Sequence, residues 1–205
     1  HGAIASLELS HGGSLGAPVP DEKGQLVLYG ASDDVPGTPG YPVREMPLSL
    51  IEELADCFGK SALVAKSSGF DMIMVHAGHG WLLSQFLSPV FNKRSDKFGG
   101  SLENRARFLD MALDAVRAYC PGMPIELRMN GSDFMEGGFT NEEAVALAKL
   151  VESKVDLFHI SGGCFIHTLF QTRTHPNCFW GQGPNVHLAE AVKRAVKKPV
   201  ATVGG

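Results

Sequence analysis

Five short apolar runs punctuate the chain: Ala3–Leu9, Asp71–Val75, Ile125–Met129, Leu157–Ile160 and Pro199–Val203. Each has the length of a β-strand and stops at glycine, histidine or another polar residue. Between them the period changes. Leu50, Ile51, Leu54, Phe58, Ala62 and Ala65 recur at three- and four-residue steps, as do Phe108, Leu109, Ala112, Leu113 and Val116. Both sets predict amphipathic helices. Ser101 is placed to cap the second, and Thr140-Asn141-Glu142-Glu143 has the spacing of a capping box before a third. A last helix, over residues 186–198, is expected to stop at Pro199. The segment from Ser10 to Pro47, rich in Gly, Pro, Ser and Asp, breaks this rhythm. It is long for a structureless connection and reads as a functional loop with a hairpin around Gln25–Gly30.

Strand and helix in alternation predict an α/β fold, a parallel sheet covered by helices. The first strand–helix junction, "SHGGSLGAPVP", is not the glycine fingerprint of a nucleotide-binding open sheet. Unusual residues gather instead at the strand ends: Glu8 and His11, then His76 and His79, Arg128, Ser161-Gly162-Gly163, and Gly204-Gly205. In a (β/α)8 TIM barrel all such ends converge on one mouth, where barrel enzymes do their chemistry. A full barrel needs eight strands and typically ~250 residues, whereas five strands are found here. The expectation is that residues 1–205 form part of a single barrel domain, truncated at both ends.

Composition narrows the function classes. The net charge of −4 gives no electrostatic basis for nucleic acid or an anionic membrane as partner. No apolar stretch approaches the ~20 residues of a membrane span, and no signal-peptide pattern opens the chain. Cys57, Cys120, Cys164 and Cys178 form no C-x-x-C pair and read as reduced thiols of a cytoplasmic protein.

"VHAGHGW", Val75 to Trp81, carries the most suggestive chemistry. His76 and His79 are compatible with a transition metal, with His11, His159, Cys164 or His167 as further ligands, as in a metal-dependent barrel hydrolase. Against this, no carboxylate accompanies the pair and the helical H-E-x-x-H pattern is absent. A second reading has the two rings satisfying loop backbone. A third makes them N–H donors to a carbonyl or carboxylate oxygen on which charge develops. Arg128, inside the apolar "PIELRMN", needs a partner: an acid such as Glu126 or Asp156, or an electron-rich cofactor at the mouth. Gly204-Gly205 and Ser161-Gly162-Gly163 can approach a phosphate through bare backbone, although such pairs also make plain turns.

The long stretch "GFDMIMVHAGHGWLLSQFLSPVFNKRSDKFGGSLENRARF" resembles the Old Yellow Enzyme family of FMN-dependent oxidoreductases, in its NADH:flavin oxidoreductase and 2,4-dienoyl-CoA reductase branch. The resemblance extends from "LELSHGG" to "PVATVGG", as barrel strands three to seven. It implies FMN, reduced by NADH or NADPH, and a small-molecule substrate with an electron-withdrawing oxygen, such as an activated alkene. It is also compatible with an iron–sulfur cluster bound outside this segment, and leaves the oligomeric state open. By the same resemblance His76 and His79 bind the substrate oxygen, and Arg128 lies by the flavin pyrimidine. Ser161, Gly162, Gly204 and Gly205 line the flavin and its phosphate. Three departures stand out, the first being Gly13, where the family often has arginine. Glu8 falls where the family commonly has a glutamine on the flavin, and Trp81 where it often has the proton-donating tyrosine. An indole N–H is no practical acid, which leaves His167 or solvent as candidate donor. The rival to a working enzyme is an inactive fragment lacking a complete flavin site.

Overall fold

The computed structural model describes residues 2–166, 168–176 and 180–203. The first part of the chain forms β1 (Ser6–Leu9), β2 (Val19–Pro20), β3 (Leu26–Gly30), β4 (Val43–Glu45) and α1 (Leu48–Ser67). Then come β5 (Met72–Ala77), α2 (Leu82–Leu87), α3 (Leu102–Tyr119), β6 (Ile125–Asn130) and α4 (Asn141–Val151). The last elements are β7 (Leu157–Ser161), α5 (Thr168–Thr174), α6 (Val186–Ala195) and β8 (Val200–Thr202). Among the described residues no helix is long and apolar enough to cross a membrane.

All five expected strands pair in parallel, in the order β1-β5-β6-β7-β8. Sheet order equals chain order. Every crossover therefore steps the same way, and α1, α3, α4 and α6 pack against one face of the sheet. A doubly wound sheet would need a reversal of strand order; there is none here, and the architecture is the wall of a (β/α)8 barrel.

Strand alternation divides the side chains cleanly. Ile73, Val75 and Ala77, with Ile125, Leu127, Met129, Phe158 and Ile160, are buried in one core with α1, α3, α4 and α6. The other face carries Ser6, Glu8, His76, Glu126, Arg128, His159 and Ser161. Barrel interiors are ordinarily filled by branched apolar side chains, so this ionic face marks where the wall departs from mere packing.

The caps form where the sequence places them. Ser101 Oγ accepts from Asn104 N at 3.3 Å, and Thr140 and Glu143 make a reciprocal capping box. The last helix stops at Ala195, earlier than expected, because Val196 is already extended (φ −125°) and turns its buried side chain into the core. Proline also disfavours helical geometry in the residue before it, so the break spreads upstream of Pro199. The 10–47 segment contains the expected hairpin, β2 with β3, and adds β4 in parallel with β3.

The connection from β5 to α3 is tied down by buried polar side chains. Gln85 Nε2 donates to the carbonyls of Gly80 (2.7 Å) and Gly12 (3.1 Å), while its Oε1 accepts from Ser14 N. Asn92 Nδ2 donates to Phe86 O and Phe98 O, at 2.7 and 2.8 Å. Arg94 pairs with Asp96 at 2.6 Å and donates to Ala31 O and Met46 O. Arg105 donates to Leu87 O and pairs with Glu143. Each satisfies backbone groups that a buried loop would otherwise leave without partners.

Helices α1 and α3 meet at Gly59, where a Cβ would lie 2.4 Å from Tyr119 Cδ2 and 2.8 Å from Ala115 O. The backbone oxygen cannot swing aside. Gly59→Ala is therefore expected to lower stability by about 1–3 kcal/mol through overpacking, seen as a lower urea midpoint at unchanged slope. A midpoint equal to or above that of the parent would refute the contact.

Candidate active site

His76 occupies the next-to-last position of β5 and projects from the ionic face of the sheet. Three residues on, the chain turns sharply: His79 has φ +61° and Gly80 φ +84°. A left-handed histidine persists only when its surroundings over-determine it. Here they do. His79 N donates to Asn130 Oδ1 (3.0 Å), its carbonyl accepts from Phe165 N (3.0 Å), and its ring Nε2 lies 2.7 Å from Ser161 Oγ. A Cβ at position 80 would sit 2.3 Å from Cys164 Sγ, so glycine is required there. The two imidazoles, both buried, have centroids 5.1 Å apart.

Register sets the neighbours. His76 on β5 lies beside Arg128 on β6, which lies beside His159 on β7. One tier below stand two carboxylates. Glu8 places Oε1 2.9 Å from His76 Nδ1, an ion-pair separation without hydrogen-bond alignment, and Oε2 3.0 Å from Arg128 Nη1. Glu126 is bonded to His159 Nδ1 at 2.8 Å and accepts from Ser6 Oγ at 3.2 Å. Arg128 thus pairs with Glu8. It does not pair with Glu126, which His159 takes, or with Asp156, which is held by Arg117 and by Ile125 N.

Beyond the pairs, His76 Nε2, Arg128 Nε and His159 Nε2 are buried without a hydrogen-bond partner. Orphans of this kind in a native fold demand an explanation. A flavin's carbonyls and ring nitrogens are acceptors that Arg128 can serve, and its imide N–H is a donor that Glu8 can receive. The residues fit FMN. Among the described residues no group of three His, Cys, Asp or Glu is placed to hold a metal, and Ser161 occupies one ring nitrogen of His79.

The remaining candidates scatter. Ser161 is buried, its hydroxyl spent on His79. Gly162 is needed because a Cβ would meet the Phe134 ring at 2.7 Å. Trp81 packs on Phe165 (5.6 Å), which in turn meets His79 and His175. His11 Nδ1 accepts from Gly13 N and so serves its own loop. His167, Gly204 and Gly205 lie outside the described residues. Two residues that the sequence reading passed over prove central. Asn130 Nδ2 donates to Asp133 Oδ1 (2.7 Å) and Gly163 O (2.9 Å), and burial pushes the Asp133 carboxyl up. Their only sequence signal is the strand period, which puts Asn130 on the same face as Glu126 and Arg128.

Burial, with repulsion from His76 and Arg128, drives the His79 pKa down to about 2. His76 is also lowered, chiefly by burial; Glu8 opposes the shift and Arg128 adds to it. Burial likewise pushes the Cys164 thiol up to about 12. An unfolded histidine titrates near 6.5. Below that pH the unfolded chain binds a proton that native His79 refuses, so the stability His79 contributes is complete above 6.5 and drains as pH falls. From pH 7 to pH 5 the unfolding free energy is expected to fall with a slope rising to at most about 1.4 kcal/mol per pH unit per such histidine. His79→Asn should flatten that slope, and an equal slope in the variant would show that His79 titrates freely.

The model of the NADH:flavin oxidoreductase / NADH oxidase family matches residues 1–205. An NADH oxidase of Thermoanaerobacter brockii is 38% identical over all of this chain and 31% of its own length. An NADPH dehydrogenase of Geobacillus sp. is 35% identical over all of this chain and 56% of its own. Among solved structures, a 2-naphthoyl-CoA reductase in complex with 2-naphthoyl-CoA superposes with a TM-score of 0.86 at 32% identity, covering 98% of this chain and 32% of the other. The chain thus spans between 31% and 56% of the length of these relatives. It belongs to the NADH:flavin oxidoreductase / NADH oxidase family.

Proposed function

We propose that residues 1–205 supply the substrate-polarising wall of an FMN-binding barrel domain, in a cytoplasmic enzyme that passes a hydride from NADH or NADPH to an activated alkene. One observation carries the reading: His76, His79 and Arg128 come together at one end of the sheet's ionic face, with buried nitrogens of His76 and Arg128 unpartnered. Bound FMN supplies the hydride. The protein's own groups do the rest. Arg128 would serve the pyrimidine end of the flavin, and Glu8 would receive its imide N–H. With Ser161 donating to His79 Nε2, the proton of that neutral ring sits on Nδ1 and is offered to the substrate oxygen. His76 offers Nε2 to the same oxygen. Burial and Arg128 hold this ring neutral while Glu8 draws it toward imidazolium. An oxygen gaining negative charge strengthens the hydrogen bond that the His76 ring donates from Nε2. Two such donors lower the barrier by stabilising charge that develops only in the transition state.

Trp81, at the position where the family often has a proton-donating tyrosine, offers no acidic proton, so protonation of the substrate carbon would fall to solvent or to His167. The free thiols of Cys57, Cys120 and Cys164 suit a reducing compartment.

The protein loaded with FMN is expected to be yellow and to oxidise NAD(P)H in the presence of an enone. His76→Ala should lower enone turnover by roughly 10²-fold, the usual loss for one oxyanion-type donor, while the flavin stays bound. A parent that takes up no FMN overturns the assignment; a turnover and affinity untouched by the substitution would make the histidine structural.

A further inference from the structure

The five parallel strands bear one permanent cation, Arg128, and two carboxylates, Glu8 and Glu126. Glu126 is committed to His159, one strand away from Glu8's partners. Glu8, on β1, reaches across β5 to Arg128 on β6, contacting His76 with one oxygen and Arg128 with the other. Arg128 therefore presents a positive charge that a bonded carboxylate partly offsets, where a glutamine at position 8 would leave it whole.

We infer that Glu8 is a tuning residue: it offsets the charge Arg128 presents to the flavin and so lowers the flavin's reduction potential. The inference rests on the flavin reading of the site. Reduction at neutral pH leaves negative charge on the pyrimidine side of a flavin. A fixed cation there favours the reduced form, and a carboxylate bonded to that cation removes part of the benefit. Arg128 is largely shielded from solvent and Glu8, 38% exposed, only partly so, which weakens the interaction by screening without removing it. The carboxylate also keeps Arg128 in place, so the same contact fixes the guanidinium and weakens its field. A lower potential makes the reduced flavin a stronger hydride donor and matches it to weakly activated acceptors.

The test is the midpoint potential of the FMN-loaded protein, measured by dye equilibration in the parent, in Glu8→Gln and in Glu8→Asp. The amide is expected to shift the potential to more positive values at unchanged FMN stoichiometry, and the shorter carboxylate to stay near the parent. A second readout needs no variant. Sulfite adds to flavins whose pyrimidine end is electron-poor, so the parent is expected to bind it weakly, and Glu8→Gln more tightly. The inference is overturned if Glu8→Gln leaves the potential unchanged or makes it more negative. It is also overturned if the two variants shift it equally, if the folded amide variant loses FMN, or if the parent binds sulfite tightly. A parent that binds no FMN overturns the flavin assignment itself, a separate result.

Discussion

Asn130 holds the site together. Its one side chain accepts from the backbone of His79 and donates to the Gly163 carbonyl and to Asp133. It thereby joins the ends of β5, β6 and β7 at the level where the candidate residues sit. The left-handed backbone of His79 depends on that bond, and the His79 ring depends in turn on Ser161, one strand over. An amide suits the position because it both accepts and donates. A carboxylate there could not donate to Asp133 or to a carbonyl, and an apolar side chain would leave three buried groups unpartnered.

The ionic face imposes a second constraint. Buried charges are tolerated only when paired and further hydrogen-bonded, and here the pairs run diagonally between strands, from Glu8 to His76 and Arg128 and from Glu126 to His159. Such pairs stabilise the fold weakly at best. Their effect is to fix ring orientations and the direction of a guanidinium, the kind of precision a packed apolar barrel interior would not supply.

What the sequence revealed and what it hid follow from the range of the interactions. Strand positions, the Ser101 cap and the Thr140 capping box are local, and local pattern found them. The partner of Arg128 is ambiguous in sequence because Glu8 is 120 residues away while Glu126 and Asp156 lie nearer; only register decides among them. The short β4 has one buried residue and no period to betray it. The family-like stretch after "VHAGHGW" was highly recognisable, yet much of it turns out to satisfy backbone rather than perform chemistry: Gln85, Asn92, Arg94 and Arg105 tie a loop. Recognition came from structural residues, and the chemical departures, Glu8 and Trp81, lay beside them.

Cys164 fills the space that Gly80 leaves open, directly behind the His79 turn. Its thiol ionises only near 12, so at neutral pH almost no thiolate exists to attack peroxide or an electrophilic substrate. Sulfur can therefore sit against the His79 turn as inert volume. The protein gains a polarizable, well-shaped filler there without exposing a reactive thiolate.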